Sequence, residues 1–186
     1  MQIEDGGHTG RKAGVDLHGN LRTRAITSTT EHQANVNGDA YHFQFEVTPS
    51  AADDCILFMQ NLSDTNLVVE GAYLSPGAAC EIYMQSHDVG TRNAAVAAVP
   101  AQCNFESGHS ADGTFETGVD LDGGAATLAD GIEFERYAFR AASNSSYFNF
   151  EQDIIIPKNG TFTVWVNDAV EIIGTLVMNY HDHGEA

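Results

Sequence analysis

Residues 41–47 alternate without a break: Tyr41, Phe43, Phe45 and Val47 are apolar, and His42, Gln44 and Glu46 between them are polar. Successive side chains of a strand point to opposite faces, so this period of two predicts a strand with one buried and one wet side. The pattern returns at 67–74, at 132–139 and at 161–167, where Phe162, Val164 and Val166 alternate with Thr161, Thr163, Trp165 and Asn167. Residues 55–60 form a continuous apolar run, which predicts a central strand buried on both faces. Further strands are predicted at 80–85, 146–150, 153–156 and 171–180, with a first strand or pairing arm at 21–27. No helical stripe longer than two turns interrupts the series.

Turn chemistry separates these segments. Pro49-Ser50, the polar stretch 61–66, Ser75-Pro76-Gly77, Pro157-Lys158-Asn159-Gly160 and Asn167-Asp168 each close a strand, with Gly160 suited to a positive φ. About nine short strands at this spacing predict an all-β fold, an antiparallel β-sandwich. Eight strands with long loops at one end fit a jelly roll with an extended N-terminal arm. The expected division is an arm over 1–30 and a sandwich over 31–186, with 87–131 forming long excursions at one end. Phe43, Phe45, Ile56, Phe58, Phe162, Val164 and Ile172 are the expected core.

Charge divides the chain the same way. Residues 1–24 hold four basic residues (Arg11, Lys12, Arg22, Arg24) against Glu4, Asp5 and Asp16, a net of +1. The rest holds four basic residues against 23 acidic ones, a net of −19. A near-neutral leader on a self-repelling body suggests an attachment arm. So acidic a body disfavours nucleic acid and anionic membranes, which both need a Lys/Arg footprint. The first residues lack the apolar stretch of a secretory signal, and no run reaches the length of a membrane span. Cys55, Cys80 and Cys103 are odd in number and lack zinc spacing, so reduced thiols are expected, Cys55 as a small buried hydrophobe.

Three groups invite a chemical reading. His181, Asp182, His183 and Glu185 place two imidazoles two residues apart, on one face of a strand, as a metal pair would be. A polar, solvated C-terminal tail is the preferred reading, since the third histidine of a cupin-like site does not follow within the chain. Asp120-Leu121-Asp122-Gly123-Gly124 matches part of the calcium-loop pattern, but further oxygen ligands are missing and Gly131 stands where the bidentate glutamate would be. Glu133, Glu135 and Tyr137 share a face on strict alternation, as a glycosidase carboxylate pair requires; adjacent acids on a wet face look the same. Asn61-Leu62-Ser63, Asn144-Ser145-Ser146 and Asn159-Gly160-Thr161 match the glycosylation pattern and read as turns. The expectation is no catalytic residue, no metal site and no cofactor.

The stretch Val-Asp-x-x-Gly-Asn-Leu-x-Thr-Arg-Ala (15–25), then Gly38-Asp39-Ala40-Tyr41 entering a strand, the apolar strand and polar turn of 55–66, and Ile154-Ile155-Ile156-Pro157-x-x-Gly160 follow a familiar order. Over residues 15–180 this resembles the small β-sandwich virion proteins of tailed viruses, of the head decoration or cement type. The resemblance implies a structural protein, not an enzyme, assembled in the host cytoplasm and placed on the virion head surface. It implies the major capsid protein or other virion proteins as partners, and a homo-oligomer, a trimer on local threefold axes. With the charge partition it assigns attachment to Arg11, Lys12, Leu21, Arg22 and Arg24. The alternatives are a turret, fibre or tail component that binds a receptor or carbohydrate, and a metal-dependent β-barrel enzyme. Sugar stacking would call for aromatics in the 87–131 loops, where only Phe105 and Phe115 occur.

Overall fold

A computed structural model describes residues 3–4, 12–15, 21–22, 30–129 and 131–181, with side chains over 34–129, 131–150 and 154–180. In the leader, β1 (Ile3–Glu4), β2 (Lys12–Val15) and β3 (Leu21–Arg22) pair antiparallel as a small sheet of their own. The body starts with helix α1 (Thr30–Asn37) and continues with β4 (Ala40–Val47), β5 (Asp54–Asn61), β6 (Asn66–Pro76) and β7 (Cys80–Ser86). The excursion contributes β8 (Val96–Ala97), β9 (Ala101–Gln102) and β10 (Gly113–Thr117). The chain then forms β11 (Ile132–Phe139), β12 (Ser146–Ile156), β13 (Thr161–Val166) and β14 (Ile172–His181).

The described body strands form two antiparallel sheets, ordered β11-β7-β13-β5-β10-β8 and β12-β6-β14-β4-β9. Their inner faces share one apolar cluster: Tyr41, Phe43, Phe45 and Leu176 from one sheet meet Ile56, Met59, Phe162 and Val164 from the other. This is the expected β-sandwich, held by alternate residues of both layers. Residues 96–102 bridge one flank, since β8 pairs with β10 in one sheet and β9 with β4 in the other. The opposite flank is formed by the edge strands β11 and β12.

Several local features depart from strict alternation. Residues 146–150 and 153–156 belong to one strand, β12, because a register shift between Asn149 and Ile154 absorbs the polar residues that suggested a break. The positive φ in the turn after β12 falls on Asn159 (64°), not on Gly160. In β14 a Cβ at Gly174 would stand 2.2 Å from the Phe45 ring, so glycine there lets the opposite aromatic lie flat against the strand. Helix α1, absent from the periodicity, has Ala34 as its buried apolar contact among the side chains described. It ends in a left-handed Gly38 (φ 85°), with Gly38 N–H donating to Asn35 O and Asp39 N–H to Ala34 O.

The 87–131 excursion is not confined to one end. Its backbone meets the sandwich at both ends: Leu62 N–H donates to Asp112 O and Ser50 N–H to Val119 O. Between those points Leu121 and Leu128 cover the outer face of the six-stranded sheet, packing with Cys55 and Phe58 in a second buried cluster. Phe58, expected in the sandwich core, is buried instead beneath this loop.

Candidate functional site

At the end of the sandwich where α1 delivers the chain into β4, Asp39, Tyr41, Ser63, Thr65, Gly108, His109, Ser110, Asp112 and Tyr180 enclose a pocket of about 420 Å³. The Gly38 turn sets Asp39 at its mouth. The polar turn 61–66 supplies Ser63 and Thr65, because Asn61 locks that turn from within. Its Nδ2 donates to Thr65 O (2.8 Å) and Ile156 O (2.9 Å), and its Oδ1 accepts from Ser63 N–H (3.0 Å). Tyr41 and Tyr180 meet edge to face at 5.8 Å and form an aromatic wall. Tyr180 O–H donates to Asp112 O at 2.8 Å, Ser63 and Thr65 hydroxyls pair at 2.8 Å, and His109 Nδ1 lies 3.4 Å from Asp39 Oδ1.

The lining thus combines hydroxyls with two carboxylates, Asp39 and Asp112, of which Asp39 lies against His109. Burial, then the Asp112 charge, pushes the Tyr180 phenol up; burial, then Asp39, does the same for Tyr41. None of the lining residues was anticipated as a site. They come from four separate chain segments and carry no motif.

At the other end, Asp54, Asp120 and Asp122 bring one carboxylate oxygen each within 4.8 Å of one another. The calcium-like stretch thus acquires a third acid from β5, 66 residues away and invisible to a local motif. Cys55 stays paired with Trp165 of β13, past a bulge at Ile56, and on its other side the β10 pairing has ended at Leu57, so the loop takes that edge. Cys55 N–H donates to Asp122 Oδ1 (2.7 Å), and Leu121 N–H donates to Cys55 O (3.0 Å). Asp54 accepts from Ser50 Oγ (3.0 Å) and Ala51 N–H (2.6 Å). Burial is the main cause that raises the Asp122 carboxyl above its usual range. The donor set has the chemistry of a hard divalent cation site, yet protein donors already satisfy part of it.

The other expected groups separate. The shift in β11 between Glu133 and Glu135 sends the two carboxylates to opposite faces, so the paired-acid reading is corrected. Glu133 instead chelates Arg136 through two 2.6–2.7 Å bonds, and Arg136 also reaches Glu81 at 2.6 Å. Of the C-terminal group, His181 ends β14 and Asp182, His183 and Glu185 lie outside the described residues. Of the attachment residues, Lys12 lies in β2 and Leu21 and Arg22 in β3; Arg11 and Arg24 lie outside the described residues. No disulfide joins the three cysteines, and Cys55 is fully buried.

The exposed aromatics lie away from the 87–131 loops as well as in them. Tyr73 and Tyr147 pair across β6 and β12 on the outer face of the five-stranded sheet, ring centroids 4.5 Å apart, 43% and 48% exposed. Gly71 makes room, because a Cβ there would stand 2.7 Å from the Tyr147 hydroxyl. No family model matches this chain, and neither a curated protein nor a solved structure is similar to it by the comparisons made.

Proposed function

We propose that this chain is a structural virion protein, a head decoration or cement subunit that binds the assembled capsid lattice. The observation that carries the reading is the strand order. The long strands β4, β14, β6 and β12 are neighbours in one sheet, and β5, β13, β7 and β11 in the other. The chain crosses between sheets at each step from β4 to β7 and from β11 to β14. That path supports a jelly roll, a sandwich that virion proteins use to present wide sheets and edges to neighbours. Binding the assembled shell in preference to its free subunits stabilises it by mass action, without a chemical step. The leader with Arg11, Lys12, Leu21, Arg22 and Arg24 is the attachment element in this reading, and the acidic body faces solvent as a homo-oligomer, a trimer on the head.

The test is co-sedimentation of the purified protein with undecorated shells of the virus that encodes it, followed by shell melting. Binding with a raised shell melting temperature supports the proposal. Shells that neither bind the protein nor gain stability would overturn it. The exposed, tilted Tyr73 and Tyr147 pair favours a second reading, a fibre or tail component whose exposed rings stack on a sugar. Glycan binding that is lost in Tyr73→Ala and Tyr147→Ala would select it over decoration.

A further inference from the structure

The two flanks of the sandwich end differently. Residues 96–102 tie one flank together, through β8 to one sheet and through β9 to the other. At the other flank β11 pairs with β7 and β12 with β6, so among the described residues each keeps one strand edge open. Each of the two strands has a bulge, yet neither carries the proline or lysine that commonly guards an edge. On β11, Ile132 is 60% and Phe134 41% exposed. Behind them Tyr137 and Phe139 meet Phe148 of β12, with ring centroids 3.9 and 6.0 Å apart, and all three rings are only partly buried. Phe134, Ile154 and Ile156 line a small cleft of about 90 Å³ in the same seam. The inward rings stay partly wet here because no further strand closes the flank.

Charge selects what can cover that seam. Residues 132–158 hold Arg136, Arg140 and Lys158 against four acidic residues, a net of −1. The rest of 25–186 holds Arg92 against 19 acidic residues. A basic partner is drawn to that acidic remainder, not to this flank. Another copy is repelled by the remainder and meets the least repulsion here. A copy also brings what the seam lacks, a second pair of open edges and a second row of apolar side chains, which a glycan does not. We propose that copies of this chain join through the β11–β12 flank, edge against edge, with Ile132 and Phe134 buried in the contact. This deepens the homo-oligomeric part of the structural reading above and rests on it for its role on a particle; the association itself is a property of the isolated protein.

The test is sedimentation equilibrium of the full-length protein across concentration and salt. The wild type is expected at twice the single-chain mass or more. Salt is expected to strengthen assembly, because it screens the repelling bodies while the contact itself is apolar. Ile132→Glu with Phe134→Glu is expected at single-chain mass. Val99→Glu with Phe105→Glu adds the same charge at exposed apolar sites outside the flank and is expected to assemble like wild type. Hydrogen exchange of the wild type needs no variant: amides of 132–139 should exchange more slowly as concentration rises, and those of 161–166, inside the sheet, should not change. A wild type at single-chain mass, a flank variant that assembles like wild type, or a Val99 and Phe105 variant that dissociates equally would each overturn the inference. So would assembly that weakens with salt, or exchange at 132–139 that ignores concentration. Failure here with normal shell binding rejects the flank contact alone; assembly here without shell binding rejects the decoration reading alone.

Discussion

Thr163 Oγ1 donates to Asp88 Oδ2 in the buried layer between the six-stranded sheet and the excursion that covers it. Trp165 Nε1 donates in turn to Thr163 Oγ1 at 2.9 Å and reaches Asp88 Oδ2 at 3.4 Å. Asp88 is 1% exposed and opens the 87–131 segment, so these bonds fasten the root of the loop to the middle of β13. Thr163→Val removes one donor to a buried carboxylate at nearly constant volume. The expected cost is about 1–3 kcal/mol, with faster protease cutting inside 87–131 than elsewhere. A variant that matches wild type in both respects removes Asp88 as the anchor.

The two apolar clusters respond differently to truncation. Phe162 is fixed between rigid sheets, and Phe162→Ala should cost about 3–5 kcal/mol in urea unfolding. Phe58 sits under a loop that can settle into the space, with Arg92 above it, so Phe58→Ala should cost less than Phe162→Ala. Equal losses would mean that the loop is as rigid as the sheets.

Asp122 makes stability pH-dependent with a definite sign. Burial, then Asp120 and Asp54 nearby, raises its folded carboxyl above the unfolded value, against the opposing bond from Cys55 N–H. A carboxyl raised on folding opposes folding when ionised. This cost grows as pH rises from the unfolded value through the raised one and is absent below both. Asp122→Asn keeps an acceptor for Cys55 N–H and removes the charge. Its thermal midpoint should exceed that of wild type at neutral pH, and the two should converge in acid. An advantage that is constant with pH, or a loss at neutral pH, contradicts this.

Thiol reactivity reports on the same loop. Burial drives the Cys55 thiol well up, with Asp88 adding to it, and pushes Cys80 up to about 11. Cys103 is only half-buried, on the turn after β9. Alkylation of native protein, followed by peptide mass spectrometry, should modify Cys103 first and the other two only on unfolding. Prompt labelling of Cys55 would show that the loop lifts from the sheet.

All seven residues expected in the core are buried, because alternation in β4 and β13 and the continuous apolar run of β5 specify which side chains leave water. Alternation does not say what covers them, which is why Phe58 was assigned to the wrong layer. Nor does it survive a bulge. One extra residue in β11 reverses the facing of Glu133 relative to Glu135. The Asn61 motif was legible as a turn because its side chain serves the local backbone. Asp54 and the Asp39 pocket were not, since their members meet only after strands distant in sequence have paired. Of the leader strands, β3 falls at the start of the alternation over 21–27, whose remaining residues lie outside the described ones, whereas β1 and β2 gave no signal because two- and four-residue strands are too short for a period to register.

Strand β14 lies between β4 and β6, at the centre of its sheet, although it follows every other described strand of the sandwich in the chain. Until it arrives, a nascent chain carries two strands whose inward edges are unpaired and whose apolar faces lack their middle. Such edges are templates for any chain that passes. Completion is thus a race between a chain's own final strand and the strands of other chains. The body's strong negative charge slows the competitor, since unfinished copies repel one another before their edges can meet.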